Sequence, residues 1–336
     1  MLLACFGTSM KRAWTTIGIC ALLCVLGKSG IAGQALQDGP TPSPTLGPVR
    51  ALPLTPELRT TVQEGIKARD YETVEKLLAA EIERKPNSPE LLKFLASVFF
   101  LDQKYLNTAI ALKKAEAISP LDNSSRFTLA LAYIILNHRD WARPELETLI
   151  KADPRNALYP YWLGRINYDA MQFTAAVANL KKAQELDPAY MKVYDNLGLC
   201  YEALGNYDEA INTYQEAIRR NRELPAPSPW PPLNLGTLLV KLRRLEEAET
   251  VLKESLQYDP RFPQAHYQMG LLLEKQKKDD EAVAELRQAA TLNPAYAEPH
   301  YVLGRIFQRQ GDSKNAEAAW ATFQKLKVEN PKDRPH

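Results

Sequence analysis

Pro86, Pro120, Pro154 and Pro188 follow one another at intervals of 34 residues, and Pro260 and Pro294 keep the same interval. A fixed period of that length marks an array of similar supersecondary units, each burying its apolar face against the next. The segments ahead of these prolines close alike, as Leu186-Asp187-Pro188, Tyr258-Asp259-Pro260 and Leu292-Asn293-Pro294 show. Proline cannot continue a helix interior, so each one reads as the stop of a unit and the bend into the next.

A second periodic set fixes the register. Leu163-Gly164, Leu197-Gly198, Leu235-Gly236, Met269-Gly270 and Leu303-Gly304 pair a large apolar residue with glycine. Ala176, Ala210, Ala248, Ala282 and Ala316 follow these glycines by twelve residues. Turn-forming residues separate the halves, as in Leu204-Gly205-Asn206 and Gln310-Gly311-Asp312. Apolar residues within each half fall at helical spacing, so each unit reads as a hairpin of two helices. A glycine inside a helix costs about 1 kcal/mol against alanine, so its recurrence at one slot asks for a packing reason. The expectation is that glycine and alanine face each other and let the two helices close up.

This residue set is similar to the tetratricopeptide repeat. The clearest copy runs from Met191 to Asn221, with Tyr194, Leu197, Gly198, Tyr201, Ala210, Tyr214 and Ala217 on the family pattern. Eight copies start at 55, 89, 123, 157, 191, 229, 263 and 297. The first two depart most, with Val62 and Val74, then Ala96 and Thr108, in the small slots. The resemblance implies an all-α fold, a right-handed superhelical solenoid of antiparallel helix hairpins with the first helices lining the concave face. Copies 1–5 would occupy 55–221 and copies 6–8 would occupy 229–331. Between them 222–232 is a proline-rich joint, in which Pro225, Pro227, Pro229, Pro231 and Pro232 are expected to forbid helix. The favoured reading is an insertion tolerated in a loop, and the alternative is a joint that changes the curvature and exposes Trp230 as a contact.

The N-terminal stretch is different material. Lys11-Arg12 precede an apolar run from Ala13 to Gly27 and then Gly30, Ala32, Gly33 and Ala35, the pattern of an export signal over 1–35. The run is short for a membrane span, which needs about 20 residues, so cleavage is expected and an uncleaved anchor is the alternative. Met10 serves as well as Met1 for the start. Residues 36–54 form a proline-rich spacer, and 332–336 a tail. The expected location is periplasmic or secreted.

Charge excludes one class of partner. Lys11, Arg12 and Lys28 fall in the signal, so the remaining 39 of 42 basic residues face 40 acids, a net of −1. A body that close to neutral has no footprint for nucleic acid, and a membrane enters only through an uncleaved signal.

Catalytic and metal-binding groups are scarce. Cys5, Cys20 and Cys24 lie in the signal, which leaves Cys200 without a disulfide partner or an adjacent base. His266 and His300 share the repeat slot of Tyr194, which makes them packing residues of neighbouring copies. No phosphate loop, metal motif or cofactor signature is present, and the reading is of a non-enzyme without cofactor or metal.

Binding then falls to the concave face, where Tyr161, Arg165, Tyr168, Asn196, Asn234, Tyr267, Tyr301, Arg305 and Arg309 are the candidate contacts for a protein or peptide. The Lys/Asn set with which some family members clamp a C-terminal carboxylate is not reproduced: Ser97 and Thr128 stand at two of its positions. The expected function is an exported scaffold or adaptor in envelope assembly or secretion. The alternatives are an accessory repeat subunit of a separate enzyme, such as a glycosyltransferase, and a self-associating array that covers Trp320, Phe323 and Leu326 of the last helix.

Overall fold

A computed structural model describes residues 46–329; the signal reading and the tail lie outside them. After a 3-10 turn at Val49–Ala51 come sixteen helices in eight antiparallel pairs. The first helices are α1 (Pro56–Ala68), α3 (Pro89–Leu101), α5 (Asn123–Ile135), α7 (Leu158–Asp169), α9 (Met191–Ala203), α11 (Trp230–Lys241), α13 (Pro263–Lys275) and α15 (Glu298–Arg309). Their partners are α2 (Tyr71–Arg84), α4 (Tyr105–Ile118), α6 (Arg139–Ala152), α8 (Phe173–Leu186), α10 (Tyr207–Asn221), α12 (Leu245–Tyr258), α14 (Asp279–Leu292) and α16 (Ser313–Glu329).

Each hairpin turns in the same way. Arg69, Gln103, Asn137, Met171, Gly205, Arg243, Lys277 and Gly311 all take positive φ just past a first helix. The next N–H then reaches back across the helix end, as His138 N does to Tyr133 O at 2.8 Å and Asn206 N to Tyr201 O at 2.9 Å. This six-to-one bond satisfies an orphan carbonyl, and the residue that makes it is also the cap of the second helix. A left-handed residue followed at once by a new helix start is what lets so short a turn reverse the chain.

The glycine slot faces the backbone of the expected alanine, Ala176 O lying 3.3 Å from a Cβ built on Gly164 and Ala282 O 3.4 Å from one on Gly270, but a large side chain comes closer still. A Cβ on Gly164 would stand 2.7 Å from Leu180 Cγ, and one on Gly198 would overlap the Cε1 edge of the Tyr214 ring. Leu252, Leu286 and Trp320 meet Gly236, Gly270 and Gly304 in the same way. The glycine therefore makes room for the large residue sixteen positions on, and the alanine at twelve backs onto the chain at one side. Trp320 is thereby half-buried inside its own hairpin, Phe323 lies against Tyr301 at 5.3 Å, and Lys327 bonds Glu298. The aromatic residues of α16 are hairpin packing, whereas Val328 is 74% exposed.

The joint also departs from expectation. Pro231 and Pro232 lie inside the first turn of α11, where a missing N–H has no helical acceptor to disappoint. The loop before it is closed by a reciprocal pair: Asn221 Nδ2 donates to Ser228 O and Ser228 N donates to Asn221 Oδ1, both at 2.8 Å. Ser255 Oγ donates to Pro229 O, and the Arg222 guanidinium pairs with both oxygens of Glu254. Trp230 is half-buried with its ring edge-on to Phe262 at 4.8 Å, so it is packed across the joint and not held out from it.

Second helices pack on the first helix of the next hairpin throughout. First helices also approach their successors, α7 with α9, α9 with α11, α11 with α13 and α13 with α15. No two second helices come together comparably among the described residues, so the first-helix row lies on the inside of the stack's curve. Between the rows runs a core strip from Leu52 to Cys200 and from Ala210 to Ala319, with Tyr201 packed on both parts.

Candidate functional site

Two groups of side chains line the inner row. The first is centred on α7 and α9. Arg165 and Asn196 are each 6% exposed, and the guanidinium donates from Nη1 to Asn196 Oδ1. Asn196 Nδ2 donates to Lys192 O at 2.7 Å and to the Tyr161 hydroxyl at 3.4 Å. The Tyr161 ring, 4% exposed, stacks at a tilt on Tyr190 at 4.7 Å. Tyr168 is half-buried on the next turn of α7, where burial lifts its phenol to about 12. Asn234, on α11, joins by donating to Asp195 Oδ1 at 3.1 Å. Among the described residues Arg165 makes no direct ion pair: its hydrogen bond goes to a neutral oxygen, and the carboxyl that feels its charge is Asp169, one turn on, whose pKa burial raises and the Arg165 charge lowers.

The second group joins α13 to α15. Arg305 pairs with both carboxylate oxygens of Glu274, through Nε at 3.0 Å and Nη2 at 2.5 Å. Arg309 reaches the same carboxylate at 3.4 Å and grips Asp279 with Nε and Nη2 at 3.1 and 2.6 Å. The Glu274 side chain is only 8% exposed, whereas Arg305 is about half-exposed. Tyr267 is half-buried, its phenol raised to about 12 by burial, and its ring tilts against Tyr296 at 5.2 Å. Tyr301 is exposed.

Nine residues were expected to face solvent from the inner row. Tyr161, Arg165 and Asn196 are buried between neighbouring first helices, Tyr168, Asn234 and Tyr267 are half-buried, and Tyr301, Arg305 and Arg309 are exposed. The physical reason is crowding. An inner helix is flanked by its own partner, the preceding second helix and adjacent first helices, so little of its girth reaches water. Arg305 and Arg309 already hold carboxylates of this chain. Sequence reasoning missed Tyr190 and Tyr296, which extend the tyrosines of the inner row. The signal was present: the tripeptide Pro-Ala-Tyr precedes both α9 and α15, and each of its tyrosines meets the tyrosine 29 positions earlier.

Other candidate chemistry resolves into packing. Cys200 is fully buried and its thiol is pushed up to about 12 by burial, the opposite of an activated nucleophile. Among the described residues no group of His, Cys, Asp and Glu is arranged to hold a metal, and no helix is long and apolar enough to cross a membrane.

The slot of Tyr194 explains the two histidines. Tyr194 OH donates to Pro188 O at 2.9 Å, and His266 Nε2 likewise lies 3.0 Å from the carbonyl of the proline that closes the preceding copy, Pro260. His266 Nδ1 also sits 2.6 Å from Glu285 Oε2, so both ring nitrogens face acceptors and only the imidazolium satisfies both. Burial opposes that charge, but the bonds to Glu285 and Pro260 outweigh it and the pKa stands above its ordinary 6.5. His300, one repeat on, has burial alone and its pKa is lowered. The His266 contribution to stability is therefore fully present below the unfolded value and lost as pH rises through the raised folded one. The His300 contribution runs the other way, present above the unfolded value and lost as pH falls through the depressed one. His266→Asn is expected to cost stability at about pH 5 and little at about pH 9, as read by urea unfolding at the two pH values. Equal losses at both would mean that the imidazolium contributes nothing.

Comparison with known proteins bears on the whole array. Family models described as Tetratricopeptide repeat match residues 127–190, 192–224 and 233–297, which fall on the third to seventh hairpins and leave 225–232 of the joint unmatched. Among solved structures the fold is similar to Pseudomonas aeruginosa PilF, at 21% identity and TM-score 0.53 over 68% of this chain and 99% of that one. It is similar to PilW, at 20% identity and TM-score 0.54 over 62% of this chain and 94% of that one. Yeast Tom70 aligns at 17% identity and TM-score 0.59 over 86% of this chain and 67% of that one. At such identities the likeness is one of fold. No curated protein matches the chain. Hairpins, turns, slots and family models agree: the chain belongs to the tetratricopeptide-repeat proteins, scaffolds of stacked helix pairs that bind protein or peptide partners.

Proposed function

We propose that the chain is an exported scaffold that takes a protein partner along its first-helix row, in the service of envelope assembly or secretion. The observation that carries the binding site is Arg165. An arginine kept more than nine-tenths buried, with its direct hydrogen bond on an amide oxygen and the Asp169 carboxyl sharing its charge without a direct bond, is costly to retain for stability, since buried ions are commonly replaced by apolar residues without loss. A carboxylate offered by a partner would meet the guanidinium with Tyr161, Tyr168 and Asn196 around it, and charge-assisted pairs of this kind are the strong ones. Export is supported by Lys11-Arg12 and the apolar run after them, which lie outside the described residues. PilW, a protein of similar fold, is a type IV pilus biogenesis factor, work of the same general kind.

The test is affinity capture from an envelope extract with wild type, Arg165→Met and Tyr267→Ala, together with fractionation of the producing cells. Arg165→Met is expected to keep the wild-type melting temperature within about 4 °C and to weaken partner recovery about tenfold or more. Undiminished recovery by both variants would remove the inner row as the binding face. Recovery of the chain in the cytoplasm alone would remove the exported role.

A further inference from the structure

Large apolar side chains that water reaches on the outer row of second helices gather on α4 and at the start of α6, with Val328 near the end of α16 standing apart from them. The eight hairpins supply an internal control, because each outer position has seven equivalents. Leu106 stands where the other copies carry Glu, Asp, Thr or Lys, Asp140 and Glu246 among them. Trp141 stands where they carry Thr, Asn, Ala or Glu, with Glu209, Glu247 and Glu281 in three successive copies. Ala117 replaces Glu, Lys, Arg, Gln or Thr, and Ile110 is the one large aliphatic residue at its position. Three solvent positions that are mostly polar elsewhere have thus become apolar in two adjacent hairpins, and a fourth carries a larger apolar residue than any other copy.

The structure brings them together. Trp141, Leu106 and Ile110 are 55%, 43% and 41% exposed, and with Ala109, Ala117 and Tyr133 they wall an apolar hollow of about 430 Å³ between α4 and α6. The indole is held in place, stacked on the His138 ring at 4.2 Å and edge-on to Tyr133 at 5.5 Å. On its other side a polar hollow of about 610 Å³ lies between the third and fourth hairpin turns. Exposed large side chains that converge on one groove mark an interaction site more often than scattered ones do.

Charge around the groove has one sign in excess. The walls of the two hollows carry Lys113, Lys114, Arg139 and Arg143 against the single carboxylate of Asp140. Lys113 bonds Glu116 and Arg139 faces Asp169 at 3.8 Å. Arg143 donates only to the neutral oxygens of Asn167 and Gln172, and Lys114 is exposed; neither joins an ion pair among the described residues. We infer that this outer groove is a second docking surface, for a protein partner that presents an acidic amphipathic helix. Its largest apolar side chain enters the hollow between α4 and α6 beside Trp141, and its carboxylates lie over Lys114 and Arg143. A groove between two packed helices is the shape that receives a third, and helix-in-groove binding reads such anchors at helical spacing. The apolar residues line a concavity and do not project as a wedge, which favours a side chain over a lipid surface. The surface lies on the row opposite Arg165 and stands independently of the inner-row reading.

Selection of random displayed peptides, each long enough for four helical turns, on the immobilised full chain tests this. The variants are Leu106→Glu with Trp141→Glu, and separately Ile110→Asn. Each puts in a residue that another copy carries at the same position, as Glu246, Glu209 and Asn212 do, and thermal melts confirm the fold. The expected result is enrichment of acidic peptides with Leu, Phe or Trp at helical spacing. Their binding falls about tenfold or more in both variants and is unchanged in Tyr301→Ala on the inner row. The inference is overturned if no peptide is enriched, if those enriched are not acidic, or if the variants bind them as wild type does. It is also overturned if the selection is blank while anionic phosphatidylglycerol vesicles bind wild type and not the variants, which would assign the patch to a membrane.

Discussion

Gly198→Ala is expected to destabilise the protein by about 2–3 kcal/mol, the upper part of the range for overpacking a core. The new methyl would overlap the ring of Tyr214, which is fully buried, and the ring cannot simply move aside. Its hydroxyl donates to Glu202 Oε1 at 2.8 Å, and Glu202 is a carboxyl whose pKa burial already raises. Tyr214→Leu alone is expected to cost about 1–3 kcal/mol, through the cavity and the unpaired Glu202. The double variant should nevertheless recover much of the summed loss. The chain contains that solution twice, since Ala96 and Ala130 occupy the glycine slot above Leu112 and Leu146. Urea unfolding of the four proteins gives the coupling, expected to favour the double variant by about 1 kcal/mol or more. Strictly additive losses would show that the glycine is not there for the side chain sixteen residues on.

The second large effect is towards the C-terminal end of the stack. Replacing Arg305 and Arg309 together by alanine is expected to cost about 3–5 kcal/mol, because it strands the Glu274 carboxylate in a site 8% exposed. Single replacements should cost far less, since either guanidinium can still serve the carboxylate. Adding Glu274→Val to the double variant should restore most of the loss, as the equivalent position of the sixth hairpin holds Val240, buried without a charge. Chemical denaturation of wild type, the two single variants, the double and the triple checks this, and no recovery in the triple variant would place the cost in lost packing of the arginine stems. These two arginines are therefore poor probes of partner binding, whatever a partner does near them.

How much of this was legible in the sequence follows from what periodicity can and cannot report. Period and slots placed all eight hairpins and their turns, because every copy must solve the same packing problem with the same spacing. The depth of a residue within the inner row was not legible. Arg165 and Arg305 share one slot, yet one is buried on Asn196 and the other clasps Glu274 in half-exposed surroundings, and their neighbours on adjacent helices decide which. Pro231 and Pro232 misled because proline forbids a helix interior but suits its first turn, and nothing local says which will apply. The outer groove was overlooked for a different reason. A search for what recurs passes over Leu106 and Trp141, whose meaning lies in being the exceptions among eight.

The inner-row links also set how the stack behaves as an elastic body. Buried hydrogen bonds stitch α7 to α9, Arg165 with Asn196 and Asn196 with Tyr161, whereas α15 is tied to α13 and to the start of α14 by part-exposed ion pairs. Salt weakens attraction between exposed charges and reaches buried contacts much less. The spring constant of this coil is thus uneven along its length: stiff and indifferent to ionic strength at mid-span, and softening with salt towards the last two turns, where a rise in ionic strength lets the coil unwind.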